Sequence, residues 1–196
     1  MANELVRIHD AGVTSALRRL RDGLPLGGSM KPAFENMGRT LKTGALLRFR
    51  SGVGPDGAGW KKSFRAEHEG GQTLSLSRRL RNSITYIATP TGVTIGTNVI
   101  YAAIHQFGGV IRAKKGPFLA IPLTPAARAN GTQGMNPLHM IQSLKGQFLL
   151  ADAHGKPQFL LRSKVTMPAR PFLGASESDR SELLAVAGRF LQERWT

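Results

Sequence analysis

Tyr101-Ala102-Ala103-Ile104-His105-Gln106-Phe107-Gly108-Gly109 is the stretch on which the reading of this chain turns. Tyr101, Ile104, His105 and Phe107 fit one short helix, and the glycines that follow stand in the usual stop position. Downstream it is answered by Pro168-Ala169-Arg170-Pro171-Phe172-Leu173-Gly174, whose prolines hold the backbone extended as it runs into Phe172 and Leu173. Just upstream, Ile84-Thr85-Tyr86-Ile87 and Val93-Thr94-Ile95 are rich in β-branched residues, and Thr89-Pro90-Thr91-Gly92 between them has turn chemistry. Residues 83 to 97 therefore read as a β-hairpin.

Working outward, Ser29 is placed to cap a helix with Pro32 in its first turn, and Phe34, Met37, Leu41 and Ala45 recur along one face of it. Arg39, Lys42, Thr43 and Arg50 fall on the other side. Glycine, proline and aspartate dominate from Ser51 to Gly59, the composition of a loop, and Trp60 stands at its end. A weaker helical pattern returns at Leu74, Ser77, Leu80 and Arg81. At the start of the chain Leu5-Val6-Arg7-Ile8 alternates as a short strand would, and Asp10 can cap a helix carrying Val13, Ala16, Leu17 and Leu20. Beyond Gly109 the pattern is least regular. Phe118–Ile121 and Phe148–Ala151 read as strands, and His154-Gly155-Lys156-Pro157 is a turn between the latter and Phe159–Leu161, which makes a second hairpin. The tract from Pro125 to Pro137 reads as loop. Ser176 is placed to cap a final helix to about Trp195, with Leu183, Leu184, Ala187, Phe190 and Leu191 on its core face.

The composition narrows the classes available. A chain of 196 residues, 41% hydrophobic and 20% charged, is expected to be globular, as one domain with or without a sizeable insertion. Cysteine is absent, which removes disulfides, thiolate zinc sites and cysteine nucleophiles and fits synthesis in a reducing cytoplasm. No apolar run is long enough to span a bilayer, and Glu4, Arg7 and Asp10 stand where a signal peptide would be apolar, so no membrane role is expected. The charge is strongly lopsided: 27 basic against 12 acidic side chains give a net +15. Between Val99 and Arg170 the cations are Arg112, Lys114, Lys115, Arg128, Lys145, Lys156, Arg162, Lys164 and Arg170, against Asp152 alone. A field of this sign favours an acidic protein surface or nucleic acid as partner.

Neither a catalytic centre nor a metal site is expected. The histidines, His9, His68, His105, His139 and His154, include no pair at the three-to-five spacing of a helical metal site. His105 has no carboxylate near it in sequence to orient it as a base, since none occurs between Glu69 and Asp152. Its reading is structural, in the core or at a subunit contact. Gly57 and Gly59 with Lys61 and Lys62 lack the spacing of a phosphate loop. Those glycines allow a tight turn while Trp60 packs as an anchor, in the core or against a neighbour. Arg170 can clamp backbone carbonyls or a carboxylate within the chain, the preferred reading, or reach an adjacent subunit. Arg48, Phe49, Arg50, Trp60, Lys61, Lys62, Phe64 and Arg65 interleave cations with aromatics as nucleic-acid surfaces do, without a known binding motif.

The two phrases Tyr101–Gly109 and Pro168–Gly174, with Pro55-Asp56-Gly57-Ala58-Gly59-Trp60, Leu80-Arg81-Asn82-Ser83-Ile84 and Ile95-Gly96-Thr97, resemble the phage virion morphogenesis, or tail completion, proteins of Mu-like and P2-like phages. The resemblance covers the chain from about Ala33 onward. It implies an α+β subunit, a small antiparallel sheet packed against long helices, with a β-rich insertion before the C-terminal helix. In that frame residues 1–109 supply core helices, loop and hairpin, 110–167 form an insertion or arm, and 168–196 complete a single domain. Further implications are a structural virion role without cofactor, a homo-oligomeric ring, six-fold in many such assemblies, and contact with neck, connector or tail-tube proteins. A contact with DNA in the channel stays open, and a basic protein of DNA packaging or ejection is the alternative. The residues marked for interaction or structure are Trp60, Tyr101, His105, Gln106, Phe107, Arg112, Lys114, Lys115, Arg170 and Phe172.

Overall fold

In the computed structural model, which describes residues 29–114 and 116–195, the chain divides into two compact units, one comprising the residues up to Gly108 and from Pro168 onward, the other Gly109–Met167. The strand expected at Leu5–Ile8, the helix from Asp10, and Lys115 lie outside the described residues.

The first unit is organised on helix α1 (Lys31–Ser51), with Pro32 in its first turn. Met30, not Ser29, is its cap residue, and the Ser29 hydroxyl accepts from the Lys31 N–H one step outside. The helix stops where Gly52 turns left-handed at φ 69° and donates its N–H to the Arg48 carbonyl. The loop that follows is closed by a bridge between Val53 and Gly59 and delivers Trp60 to the core. Two short helices, α2 (Phe64–His68) and α3 (Arg79–Asn82), lead into the antiparallel pair β1 (Thr85–Thr89) and β2 (Gly92–Gly96). Helix α4 (Ala102–Phe107) ends at Gly108. One core joins Ala45, Phe49, Trp60, Leu80, Ile84, Ile95, Val99, Ala102, Phe172 and Leu173.

The terminal helix, here α6 (Glu177–Trp195), begins with a reciprocal cap: the Ser176 hydroxyl accepts from the Asp179 N–H, and the Asp179 carboxylate accepts from the Ser176 N–H. Leu183, Val186 and Ala187 pack on Met30, Phe34 and Met37 of α1 and its cap, with Ala88 and Val93 of the hairpin against the same cluster. Leu184 is corrected here: it is 53% exposed, not core. At 100° per residue the buried stripe runs from Val186 across Leu183 and Ala187, and Leu184 falls beyond its edge.

Two helix-interior glycines in α1 were not singled out in the sequence. A Cβ on Gly38 would stand 2.2 Å from the Tyr86 ring, and one on Gly44 2.4 Å from an Asp179 carboxylate oxygen. The hairpin and the terminal helix thus reach the α1 backbone through missing side chains.

The second unit has a two-stranded ribbon, β3 (Gly109–Arg112) with β8 (Lys164–Met167), and a four-stranded antiparallel sheet. The sheet runs in the order β4 (Leu119–Pro122), β7 (Pro157–Arg162), β6 (Phe148–Ala151), β5 (His139–Gln142). The expected hairpin around His154 is β6–β7. The expectation of loop from Pro125 to Pro137 is corrected: α5 (Pro125–Asn130) is helical, because the Thr124 hydroxyl accepts from the Ala127 N–H and Pro125 occupies the first turn.

Candidate functional site

The chemistry of the first unit converges on the extended segment from Pro168 to Gly174. Backbone inside a core needs hydrogen-bond partners, and among the described residues no strand pairs with this segment to supply them. Side chains do so instead. The Oε1 atom of Gln106 accepts from the N–H groups of both Phe172 and Leu173 at 3.0 Å, while its Nε2 donates to the Leu173 carbonyl at 2.9 Å. One residue earlier in α4, the His105 carbonyl accepts from the Arg170 N–H at 2.7 Å. The Trp60 indole N–H donates to the Pro171 carbonyl at 3.1 Å. Arg48 donates to the Phe172 carbonyl and is ion-paired with Asp179, both side chains being buried.

Arg170 reaches the other way. Its Nε donates to the Lys61 carbonyl at 2.8 Å, and a terminal nitrogen reaches the Lys62 carbonyl at 3.4 Å. The guanidinium clamps the segment leaving Trp60, within the chain. Burial pulls its pKa below the ordinary value. Phe172 fills the core beneath, its ring 5.3 Å from that of Phe49, which in turn meets Trp60 edge-on at 5.7 Å.

His105 lies at the margin of this junction. Tyr101 meets its ring edge-on at 5.9 Å, and its buried Nδ1 has no hydrogen-bond partner among the described residues. Burial, and secondarily the Arg170 charge, hold its pKa below the usual 6.5. Tyr101 and Phe107, by contrast, are turned outward, with Phe107 65% exposed and the preceding Ile100 97% exposed. The fold therefore brings together Trp60, His105, Gln106, Arg170 and Phe172. Arg112 and Lys114 belong to the second unit, where both are exposed.

Asp179 escaped the sequence reading, and Arg48 was read there as part of a cation-and-aromatic surface, which is corrected: Arg48, Phe49 and Trp60 are all buried. The signal for Asp179 was its place three residues after Ser176, the spacing of a reciprocal cap. Nothing local marked Arg48 as the buried partner of Asp179, since it falls among several cations on one helix. Among the described residues no three His, Asp or Glu side chains gather as a metal ion would require.

A family model described as the phage virion morphogenesis family matches residues 8–135. The chain belongs to the phage virion morphogenesis family. It is similar to the Mu-like prophage FluMu G protein 2 of Haemophilus influenzae, 34% identical over 113 residues that make up 58% of this chain and 74% of that protein. No solved structure matches. Family membership makes this a bacteriophage protein with a role in building the virion. The family match includes the Trp60 loop and the Tyr101–Gly109 motif but stops before Pro168. Gln106 is where the matched region grips the later segment.

Proposed function

We propose that the protein is a tail completion subunit, which assembles with copies of itself into a ring of six and joins the tail to the head through contacts with neck, connector or tail-tube proteins. It acts by presenting surfaces rather than by catalysis, and its place of work is the neck or tail of the particle. The observation that carries this reading is the two-sided use of the family motif. The inner side of α4 is fixed by Gln106 and the His105 carbonyl to residues 170–173, and the outer side shows Ile100, Tyr101 and Phe107 to solvent. Large apolar side chains displayed on an anchored element suit a subunit contact. A closed ring requires that contact to be head to tail, with different patches meeting.

Electron microscopy of the particle, paired with light scattering on the purified chain, tests the reading. A ring at the tail end is expected, lost in a Tyr101→Asp, Phe107→Asp variant that still unfolds cooperatively. Monomers or two-fold dimers in the particle would overturn it. The alternative, a protein of DNA packaging or ejection, draws on the net charge of +15. It would gain from a map in which the basic side chains line a channel against DNA.

A further inference from the structure

The β3–β8 ribbon carries a charge arrangement that its own fold does not explain. In its register Arg112 stands directly opposite Lys164, and Val110 opposite Thr166. Strand alternation puts these four side chains on one face, all exposed, with Val110 at 52%. Ile111, Val165 and Met167 take the other face. Like charges directly opposed on neighbouring strands lie about 5 Å apart and weaken the pairing. Lys114, two residues past Arg112, and Arg162, two before Lys164, are exposed as well.

Among the described residues no carboxylate pairs with these four cations. The unit from Gly109 to Met167 contains Arg112, Lys114, Lys115, Arg128, Lys145, Lys156, Arg162 and Lys164, and one acid, Asp152. That acid is committed to a turn. Its Oδ1 accepts from the N–H groups of His154 and Lys156 and its Oδ2 from Gln158, and the Gln158 bond above all holds its carboxyl below the ordinary carboxylate range. It precedes β7, whereas Arg162 ends that strand, roughly 17 Å farther on at about 3.3 Å per residue. Arg112, Lys114, Arg162 and Lys164 make no ion pair among the described residues.

We propose that the Val110–Arg112–Lys164–Thr166 face of the ribbon is a docking surface for a carboxylate-rich surface of another protein. Charge selects the partner's sign, and a second copy of this unit, equally basic, does not qualify. The apolar Val110 beside the cations selects protein over nucleic acid. Contacts to phosphates are polar throughout, whereas protein interfaces set apolar side chains among complementary charges. The cross-strand repulsion is then a stability cost retained for binding. This inference stands apart from the ring reading, since neither the copy number nor the self-contact enters it.

The test uses the purified full chain and two fluorescein-labelled probes, a poly-L-glutamate of about 20 residues and a duplex DNA of about 20 base pairs, read by anisotropy over a range of salt. Arg112→Glu or Lys164→Glu alone turns the opposed pair into an attractive one, so each is expected to raise Tm by ~1–3 °C. The double reversal restores repulsion, with Tm close to that of the parent, and is expected to weaken poly-L-glutamate binding at least ~tenfold. A control reversal on α1, Lys31→Glu with Arg50→Glu, changes net charge equally and is expected to weaken it far less. Duplex binding should fall about equally with both pairs, as net charge dictates. Equal losses of poly-L-glutamate binding with both pairs would overturn the proposal, as would single reversals that lower Tm. Duplex binding that fell selectively with the ribbon pair would assign the face to nucleic acid and overturn it too.

Discussion

Gln106 holds three backbone groups of Phe172 and Leu173, which lie outside any strand or helix, so its replacement is expected to act on stability out of proportion to its size. In Gln106→Leu the N–H groups of Phe172 and Leu173 and the Leu173 carbonyl lose their partner in a buried place, at about 1–3 kcal/mol for each unsatisfied group. A loss of about 3 kcal/mol or more is expected in urea unfolding; an unchanged midpoint would show that water serves the segment instead. Gln106→Glu keeps the acceptor but loses the donor and turns a carboxylate toward the Leu173 carbonyl, so it should also destabilise, less so in acid. His105 predicts a pH dependence. Its pKa is lowered in the fold by burial and by Arg170, so the unfolded chain takes up the proton first. The stability that depends on neutral His105 is complete above the ordinary value of 6.5 and is lost as pH falls from there through the folded value. Thermal scans of the parent and His105→Gln should therefore diverge in favour of the variant as the solution is acidified. Parallel curves would mean the imidazole is already free to protonate in the fold. The motif containing both residues was legible in the sequence, and so was the absence of a carboxylate near His105. The task of Gln106 was not, because glutamine at that spacing looks like any polar helix residue.

At the scale of elements, the terminal helix distinguishes neighbours that hydropathy treats alike. Leu183→Asp is expected to cost several kcal/mol, about 3–5 for an unpaired buried charge, and to yield insoluble protein. Leu184→Asp should be tolerated, because its side chain already faces water. Solubility and melting of the two variants side by side check the assignment. Helix α1 makes a sharper prediction, since Gly→Ala in a helix interior normally gains about 1 kcal/mol. Gly44→Ala should instead destabilise, for its methyl would meet the Asp179 carboxylate at 2.4 Å. That carboxylate cannot swing away without releasing Arg48 and Ser176. A variant that melts higher than the parent would show that the α6 terminus shifts freely. Periodicity disclosed both helices and the 85–96 hairpin because each has one apolar face. It did not disclose α5, whose Thr124-Pro125 start is followed by residues without an apolar stripe.

For the whole molecule, the second unit leaves and returns at neighbouring points. Gly109 pairs with Met167, so the ends of the intervening chain are already side by side. The hydrogen bonds that seat Pro168–Gly174 come from α1, the Trp60 loop and α4, all in the first unit. Replacing residues 109–167 by a short glycine-serine linker should leave a folded first unit with one cooperative unfolding transition, while removing the cationic ribbon. Circular dichroism and calorimetry check this. A molten, non-cooperative product would show that the first unit needs the second in order to fold.

The order of α1, the 85–96 hairpin, α4, the β6–β7 hairpin and the terminal helix, the basic excess, the lack of cysteine and the Tyr101–Gly109 family phrase were determined by the sequence, because each depends on local spacing or on composition alone. The junction of Gln106, Arg170, Trp60 and the buried Arg48–Asp179 pair was decided only by the tertiary structure, as was the outward display of Phe107. A hydrogen bond from Gln106 to Leu173, or an ion pair from Arg48 to Asp179, joins residues 67 and 131 positions apart. No local pattern encodes such a partner; only the packing of α1, α4 and the terminal helix brings it within reach.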